Sequence, residues 1–154
     1  MNIKMQACQL RPATEADRDA IAEIWHTSAS LPGVGPPIMP TAGELRERVD
    51  HEFAAGWQVT VAVRDDRIVG FLAIKPAEGV LAELFVRPEA IGSGAGRALL
   101  ARAVEDMPAG FTLFTRSANE RARRFYERAG LTFLSNDVHP RAGDPITYYA
   151  WNLR

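Results

Sequence analysis

Apolar residues recur at helical spacing in the first third of the chain, run together in the middle, and mix both habits in the last third. Met5–Leu10 reads as a short strand closed by a turn signal at Arg11-Pro12. Thr14 stands as an N-cap with Asp17 in the first turn. Beyond it Ala20, Ile21, Ile24, Trp25 and Ser28 share one helical face, which predicts a helix over Glu15–Ala29. Leu31–Pro40 holds Pro32, Pro36, Pro37 and Pro40 with Gly33 and Gly35, a density of breakers that leaves only a stiff loop. Thr41 and Glu44 form a capping-box pattern ahead of Leu45, Val49 and Phe53, and Gly56 is the stop.

The middle changes character. Trp57–Val63 and Ile68–Lys75 are β-rich runs joined by a hairpin at Arg64–Arg67, and Val80–Val86 follows after Pro76–Gly79 as the third strand of a meander. The Gly- and Ala-rich segment Glu89–Gly96 runs into a helix over Arg97–Val104, and Phe111–Thr115 is a further strand. Asn119–Ala129 carries Ala122, Phe125, Tyr126 and Ala129 at i, i+3, i+4 and i+7 and is closed by Gly130. Leu131–Leu134 and Ile146–Leu153 are the last two strands, with a polar loop over Asn136–Pro145 between them. The order is β-αα-βββ-α-β-α-ββ, an α+β or mixed α/β protein whose helices flank a largely antiparallel sheet.

Composition narrows the class. The 154 residues are 47% hydrophobic and 24% charged, the size and make-up of one globular domain over residues 1–154. Lys and Arg number 18 against 19 Asp and Glu, a balance that argues against nucleic acid as the partner. The longest clean apolar stretch, Ile68–Ile74, is far short of the ~18 residues of a membrane span. Met1–Thr14 lacks the apolar core of a signal peptide, so a cytoplasmic protein is expected. The lone Cys8 can make neither an internal disulfide nor a zinc site, and no metal is expected.

Two segments carry chemistry. Val86 to Arg97 ends a buried strand, places glycines at 92, 94 and 96, and opens a helix. Free amides at a helix start, with the positive end of its dipole, make an anion site. The spacing is not the dinucleotide fingerprint, because the sixth position counted from Gly92 is Arg97, and it lacks the Lys and Ser/Thr of a phosphate-binding P-loop. Two readings stand for it alone: a phosphate cradle, or a tight strand-to-helix turn that needs glycine for geometry. The second segment is Asn119-Glu120-Arg121-Ala122-Arg123-Arg124-Phe125-Tyr126-Glu127-Arg128-Ala129-Gly130-Leu131. Together the two resemble the GNAT superfamily of N-acetyltransferases, whose signature is [QR]-x-x-G-x-[GA] at a helix start, then N-x-x-A-x-x-F-Y-x-x-x-G-F. Asn119, Ala122, Phe125, Tyr126 and Gly130 match the second pattern, with Leu131 in place of its aromatic, and the element order agrees from Gln6 to Leu153. Ile91 departs from the Gln/Arg of the first pattern, which removes one polar contact to phosphate, about 1–2 kcal/mol.

The resemblance implies a fold with splayed fourth and fifth strands, here Val80–Val86 and Phe111–Thr115, and acetyl-CoA as the acyl donor between them. It implies that backbone of Leu84, Phe85 and Val86 pairs with the pantetheine arm, and that the Val86 amide holds the oxyanion. It also implies that Ile91, Gly92, Ser93, Gly94, Ala95, Gly96 and Arg97 cradle the pyrophosphate, that Asn119 bonds the arm, and that Phe125 belongs to the same site. Tyr126 is the candidate acid for the leaving thiolate, against a reading as a core aromatic of its helix. Glu83 lies inside an apolar strand, either as an edge residue facing water or as a base and cation attractor. His26, His51 and His139 read as structural or exposed, and Arg121, Arg123, Arg124 and Arg128 as a solvated face from which one residue reaches the 3′-phosphate. Trp25–Pro40 and Asn136–Pro145 are expected to line the acceptor cleft, an apolar wall of Trp25, Leu31, Val34, Ile38 and Met39 suited to a small amine. The expected activity is N-acetylation of such an amine, the alternative a coenzyme A-binding or sensor domain without turnover. A toxin acylating aminoacyl-tRNA would want a basic groove, which the net charge of −1 does not supply. The final strands of such folds often pair between subunits, so a homodimer is expected.

Overall fold

The computed structural model describes residues 8–153, so the predicted start of the first strand at residues 5–7 lies outside it. Seven strands form one sheet: β1 (Gln9–Pro12), β2 (Gln58–Arg64), β3 (Arg67–Lys75), β4 (Val80–Val86), β5 (Phe111–Arg116), β6 (Thr132–Val138) and β7 (Pro145–Trp151). Their order is β1-β2-β3-β4-β5-β7-β6. Four helices, α1 (Arg18–Ala29), α2 (Ala42–Ala54), α3 (Ala95–Asp106) and α4 (Glu120–Arg128), cover its two faces. Every neighbouring pair is antiparallel except β4 with β5.

The elements follow from local chemistry. Thr41 Oγ1 accepts the Glu44 amide at 3.1 Å while the Glu44 carboxylate accepts the Thr41 amide at 2.9 Å, closing the capping box that starts α2. Asp65 and Asp66 sit at φ 53° and 59°, the two left-handed residues of a type I′ hairpin turn that matches the twist of β2 and β3. Ile21, Ile24, Leu45 and Val49 seat α1 and α2 on Val61 and Phe71. Leu99, Ala103 and Tyr126 seat α3 and α4 on Leu72, Phe111 and Leu113 of the other face. Each large aliphatic side chain fully buried in this way contributes about 1.5–3 kcal/mol.

Four expectations need correction. Arg11-Pro12 is not a turn: β1 continues through Pro12, which pairs with Thr60, because β1 is the sheet edge, where proline's missing donor costs nothing. β6 does not stop at Leu134 but runs to Val138, paired with Pro145, so the loop is residues 139–144. All seven β6 positions are exposed, and a strand wet on both faces shows no alternation to read. α3 begins at Ala95, two residues before Arg97, with the left-handed Gly94 (φ 93°) as its cap. Trp25 is not on a cleft wall. It is one turn beyond Ile21 on the buried face of α1 and packs 5.5 Å from Trp57.

β4 and β5 meet at a single registered pair, Val80 with Thr112, reinforced by the Thr112 amide on the Gly79 carbonyl at 2.9 Å. Beyond that pair the strands separate. The sheet is thus two antiparallel halves, β1–β4 and β5–β7–β6, joined at one corner.

Candidate active site

The gap between β4 and β5 opens into a cleft of about 1620 Å³ that reaches from the α1–α2 loop to the start of α3. Its β4 wall has unclaimed backbone. The Arg87 amide donates to Val69 of β3 at 2.7 Å, so by strand alternation the Val86 and Leu84 amides point away from β3, into the gap. The Val86 carbonyl is already taken by the Ser28 hydroxyl at 3.0 Å, reaching down from α1. Arg87 itself is buried, with Nε on the Ile68 carbonyl at 2.8 Å and Nη1 on the Glu23 carboxylate. Helix α1 therefore fixes the end of β4 twice. Ser28 had appeared in the sequence only as one more position on a helix stripe, and Arg87 had no signal of burial at all.

Glu83 and Tyr126 come to this cleft from opposite layers. The β3–β4 register jumps between Ala73–Glu83 and Ile74–Leu81, which leaves Ala82 as a bulge. A bulge reverses the alternation of side chains. It puts Glu83 opposite Ala73, on the α1/α2 face, although Leu81 two residues earlier belongs to the α3/α4 core. Tyr126 rises from α4 within the α3/α4 core. Both line the gap, and the phenol feels the field of the carboxylate. The Glu83 carboxyl is hemmed in by protein, and desolvation lifts it to about 7 against the opposing pull of Arg48 and Arg116. Burial, then the Glu83 carboxylate, hold the Tyr126 phenol well above its usual value.

At the other end the glycine turn lies open to the cleft. Gly92 (φ 88°) and Gly94 (φ 93°) need the left-handed conformation, and the space where a Cβ would stand holds nothing within 4 Å. The turn requirement and the open cradle are therefore both met by the same residues. Gly96 is different: a Cβ there would stand 3.6 Å from the Phe125 ring, in ordinary contact, so the Cβ position of this glycine faces the packed side of the first turn of α3 and not the open cleft. Ala95, Gly96 and Arg97 offer first-turn amides, though the Ala95 amide leans on Ser93 Oγ at 3.4 Å. Ile91, Gly92, Ser93, Gly94, Gly96 and Arg97 line the cleft, whereas Ala95 turns its methyl into the core. Ile91 is 42% exposed on the rim. Leu84, Phe85, Val86, Asn119 and Phe125 also line it. Asn119 caps α4, its Oδ1 accepting the Ala122 amide at 3.2 Å, which leaves its amino group for another partner. Of the arginines on α4, Arg123 is committed to the Ser117 carbonyl at 3.1 Å, while Arg121, Arg124 and Arg128 border the cleft with Arg97.

The end of the cleft toward α2 brings in side chains that sequence patterns did not single out. Arg116, at the end of β5, borders both the main cleft and a side cavity of about 480 Å³ under the Leu31–Pro40 loop. Its Nε binds Asp144 at 3.0 Å, and both partners are mostly buried. Phe114, 40% exposed on the same face of β5, is bracketed by His139 at 5.6 Å and Tyr148 at 5.8 Å. Leu31 and Val34 border the cleft and Met39 the side cavity, as expected, but Ile38 points outward, almost fully exposed. His139 Nδ1 accepts the Arg141 and Ala142 amides at 3.2 and 3.0 Å, and desolvation followed by the Arg116 charge lowers its pKa. Among the described residues, no group of three or more His, Cys, Asp and Glu side chains could hold a metal ion, and no helix is long and apolar enough to cross a membrane.

The family model described as Acetyltransferase (GNAT) family matches residues 19–131. No curated protein sequence matches the chain. Among solved structures, a putative acetyltransferase of the GNAT family from Desulfovibrio desulfuricans is 28% identical, with 94% of this chain and 98% of that one covered and a TM-score of 0.73. A GNAT superfamily phosphinothricin acetyltransferase from Sinorhizobium meliloti, solved with acetyl-CoA, is 19% identical over 95% and 88% of the two chains, TM-score 0.74. A putative acetyltransferase from Salmonella typhimurium, solved with its cofactor acetyl-CoA, is 18% identical over 95% and 94%, TM-score 0.71. The last two likenesses are of fold.

Proposed function

Because this chain belongs to the acetyltransferase (GNAT) family, we propose that it is one N-acetyltransferase domain that moves an acetyl group from acetyl-CoA to the primary amine of a small, partly apolar acceptor, by direct attack on the thioester. The observation that carries this reading is the meeting of Glu83 and Tyr126, from opposite faces of the sheet, in the gap between β4 and β5. A domain that only bound coenzyme A would have no use for a half-ionised carboxyl and a buried phenol at that point.

The donor, when bound, supplies an activated acetyl group and a thiolate leaving group. The chain's contribution divides by residue. Leu84 and Val86 present unclaimed amides along the gap, and the Val86 amide is the donor for the developing oxyanion. The open backbone of Gly92 and Gly94, with the first-turn amide of Gly96, accepts the pyrophosphate, each charge-assisted bond contributing about 1.5–3 kcal/mol. Asn119 offers its amino group to the arm, and one of Arg97, Arg121, Arg124 and Arg128 reaches the 3′-phosphate.

Glu83, near 7, removes the proton that an ammonium must lose before it can attack. Tyr126 gives its proton to a thiolate whose conjugate acid lies near 8.5, and the second proton that the nitrogen sheds on becoming an amide restores the phenol. A phenol raised by burial is a reluctant donor, but part of its reluctance is the Glu83 charge. Once Glu83 has taken the amine proton that charge is gone. Arrival of one proton thus eases departure of the other. The test is thiol release from acetyl-CoA across a panel of amines, amino acids and peptides. Amine-dependent release is expected, and binding of coenzyme A without any release would establish the sensor reading instead.

A further inference from the structure

The face of the sheet that carries Glu83 also carries Phe114 and Arg116. Phe111 and Leu113 belong to the α3/α4 core, so Phe114 and Arg116 project to the opposite side, where Ala73 and its partner Glu83 lie. Arg116 is only 17% exposed, yet it borders both cavities. Asp144 fixes it through Nε, which leaves the planar pair of terminal amino groups beyond that bond. That is the geometry in which a guanidinium meets a carboxylate two-pronged. A second cation, Arg48 of α2, lies 5.2 Å over the Trp25 ring, and its charge acts on Glu83 and His139. Glu52 and Asp144 are the acidic counterweights, and Asp144 is engaged by Arg116 through Oδ2.

Phe114 adds an apolar surface. It lies on an interior strand, yet stays exposed between His139 and Tyr148 at the place where α1 and α2 do not reach. Three different chemistries therefore converge on one opening: a carboxyl for an ammonium, a fixed guanidinium for an anion, and an aromatic surface for an apolar body.

We propose that the acceptor carries a carboxylate and an apolar or aromatic body next to its amine, as an apolar α-amino acid does, with Arg116 as the anion-binding side chain; this rests on the acetyl-transfer reading above. Glu83 receives the ammonium and Phe114 with Tyr148 the body. The two charges of the ligand complement two charges of the site, so neither is buried unpaired.

The test is calorimetric binding to the protein saturated with coenzyme A, which needs no turnover. Matched pairs serve as probes: phenylalanine with phenethylamine, leucine with 3-methylbutylamine, methionine with 3-(methylthio)propylamine. In at least one pair the acid should bind tenfold tighter or more. Arg116→Gln should weaken the acid at least tenfold and leave its amine within about twofold. Arg48→Gln should show the same selectivity with a smaller loss, and it decides the matter if Arg116→Gln does not fold. Amines that bind as well as their acids in every pair, or variants that weaken both alike, overturn the proposal. Selective binding of an acid without thiol release from acetyl-CoA would leave this preference standing and remove the transfer reading.

Discussion

At the α3 end of the cleft, the surface on offer is the backbone of one short stretch, Ile91–Arg97, where Gly92 and Gly94 leave the space in front of them open. At the α2 end it is side chains, of Glu83, Phe114, Arg116 and Tyr148 on three strands, held by partners as distant as Asp144. A backbone site depends on conformation and tolerates changes of side chain that keep it. A side-chain site depends on chemistry and tolerates changes of backbone that keep the groups in place. The two ends should therefore fail in different ways, and Glu83 with Tyr126, where they meet, should fail in a third.

The largest effect is expected at that meeting point. Tyr126→Phe keeps the ring and its packing and removes the proton, so kcat should fall by ~10²–10⁴ with coenzyme A affinity and melting temperature nearly unchanged. Lost stability with intact kcat would make Tyr126 a core residue. Glu83→Gln comes next, with a fall in turnover of ~10² that shrinks as pH rises and free amine becomes abundant. Its stability effect has the opposite sign. A carboxyl lifted to about 7 is favoured protonated in the fold, so its burial costs progressively more as pH climbs from about 4.5 to 7. Glu83→Gln should therefore melt higher than the wild type at pH 8 and no higher at pH 4. Combined with Tyr126→Phe its kinetic effects should be less than additive, because the two protons are coupled.

Gly94→Val attacks the backbone end. A branched side chain at φ 93° carries strain of about 1–2 kcal/mol and occupies the open space, so coenzyme A should bind about 10- to 100-fold more weakly in calorimetry. Acceptor binding should be spared, and its equal loss would erase the distinction between the ends. The smallest effect lies outside both. Asp17 is held near 2 by Arg11 at 2.7 Å, with the Thr14 amide adding to it, so its contribution is present above about 3.8 and disappears as pH falls toward 2. The melting gap between wild type and Asp17→Asn should close over that window, with ligand binding unaltered.

The same contrast explains what could be read in advance. The glycine turn and the α4 pattern were legible because a backbone site, and a helix that packs under it, are written in consecutive residues. β4 came out residue for residue, since an apolar run between Gly79 and Pro88 admits few alternatives. Arg116, Phe114 and Tyr148 were silent, because nothing local distinguishes an arginine that ends a strand in solvent from one pinned beside a cleft. The bulge at Ala82 was silent too, although it decides which face Glu83 serves. Trp25 was misplaced for the reverse reason: an aromatic on a helix stripe belongs by default to the core, and that is where it lies.

The single registered pair between β4 and β5 has a consequence that can be timed. Along β4, successive amides alternate between a laced edge on β3 and an open edge on the gap. In deuterated water the Phe85 and Arg87 amides should exchange slowly and those of Leu84 and Val86 quickly, giving one strand two clocks. A molecule laid along the gap as an added strand would stop the fast clock and leave the slow one running as before. The zigzag in exchange rates would flatten residue by residue, tracing how far along the strand the occupant reaches.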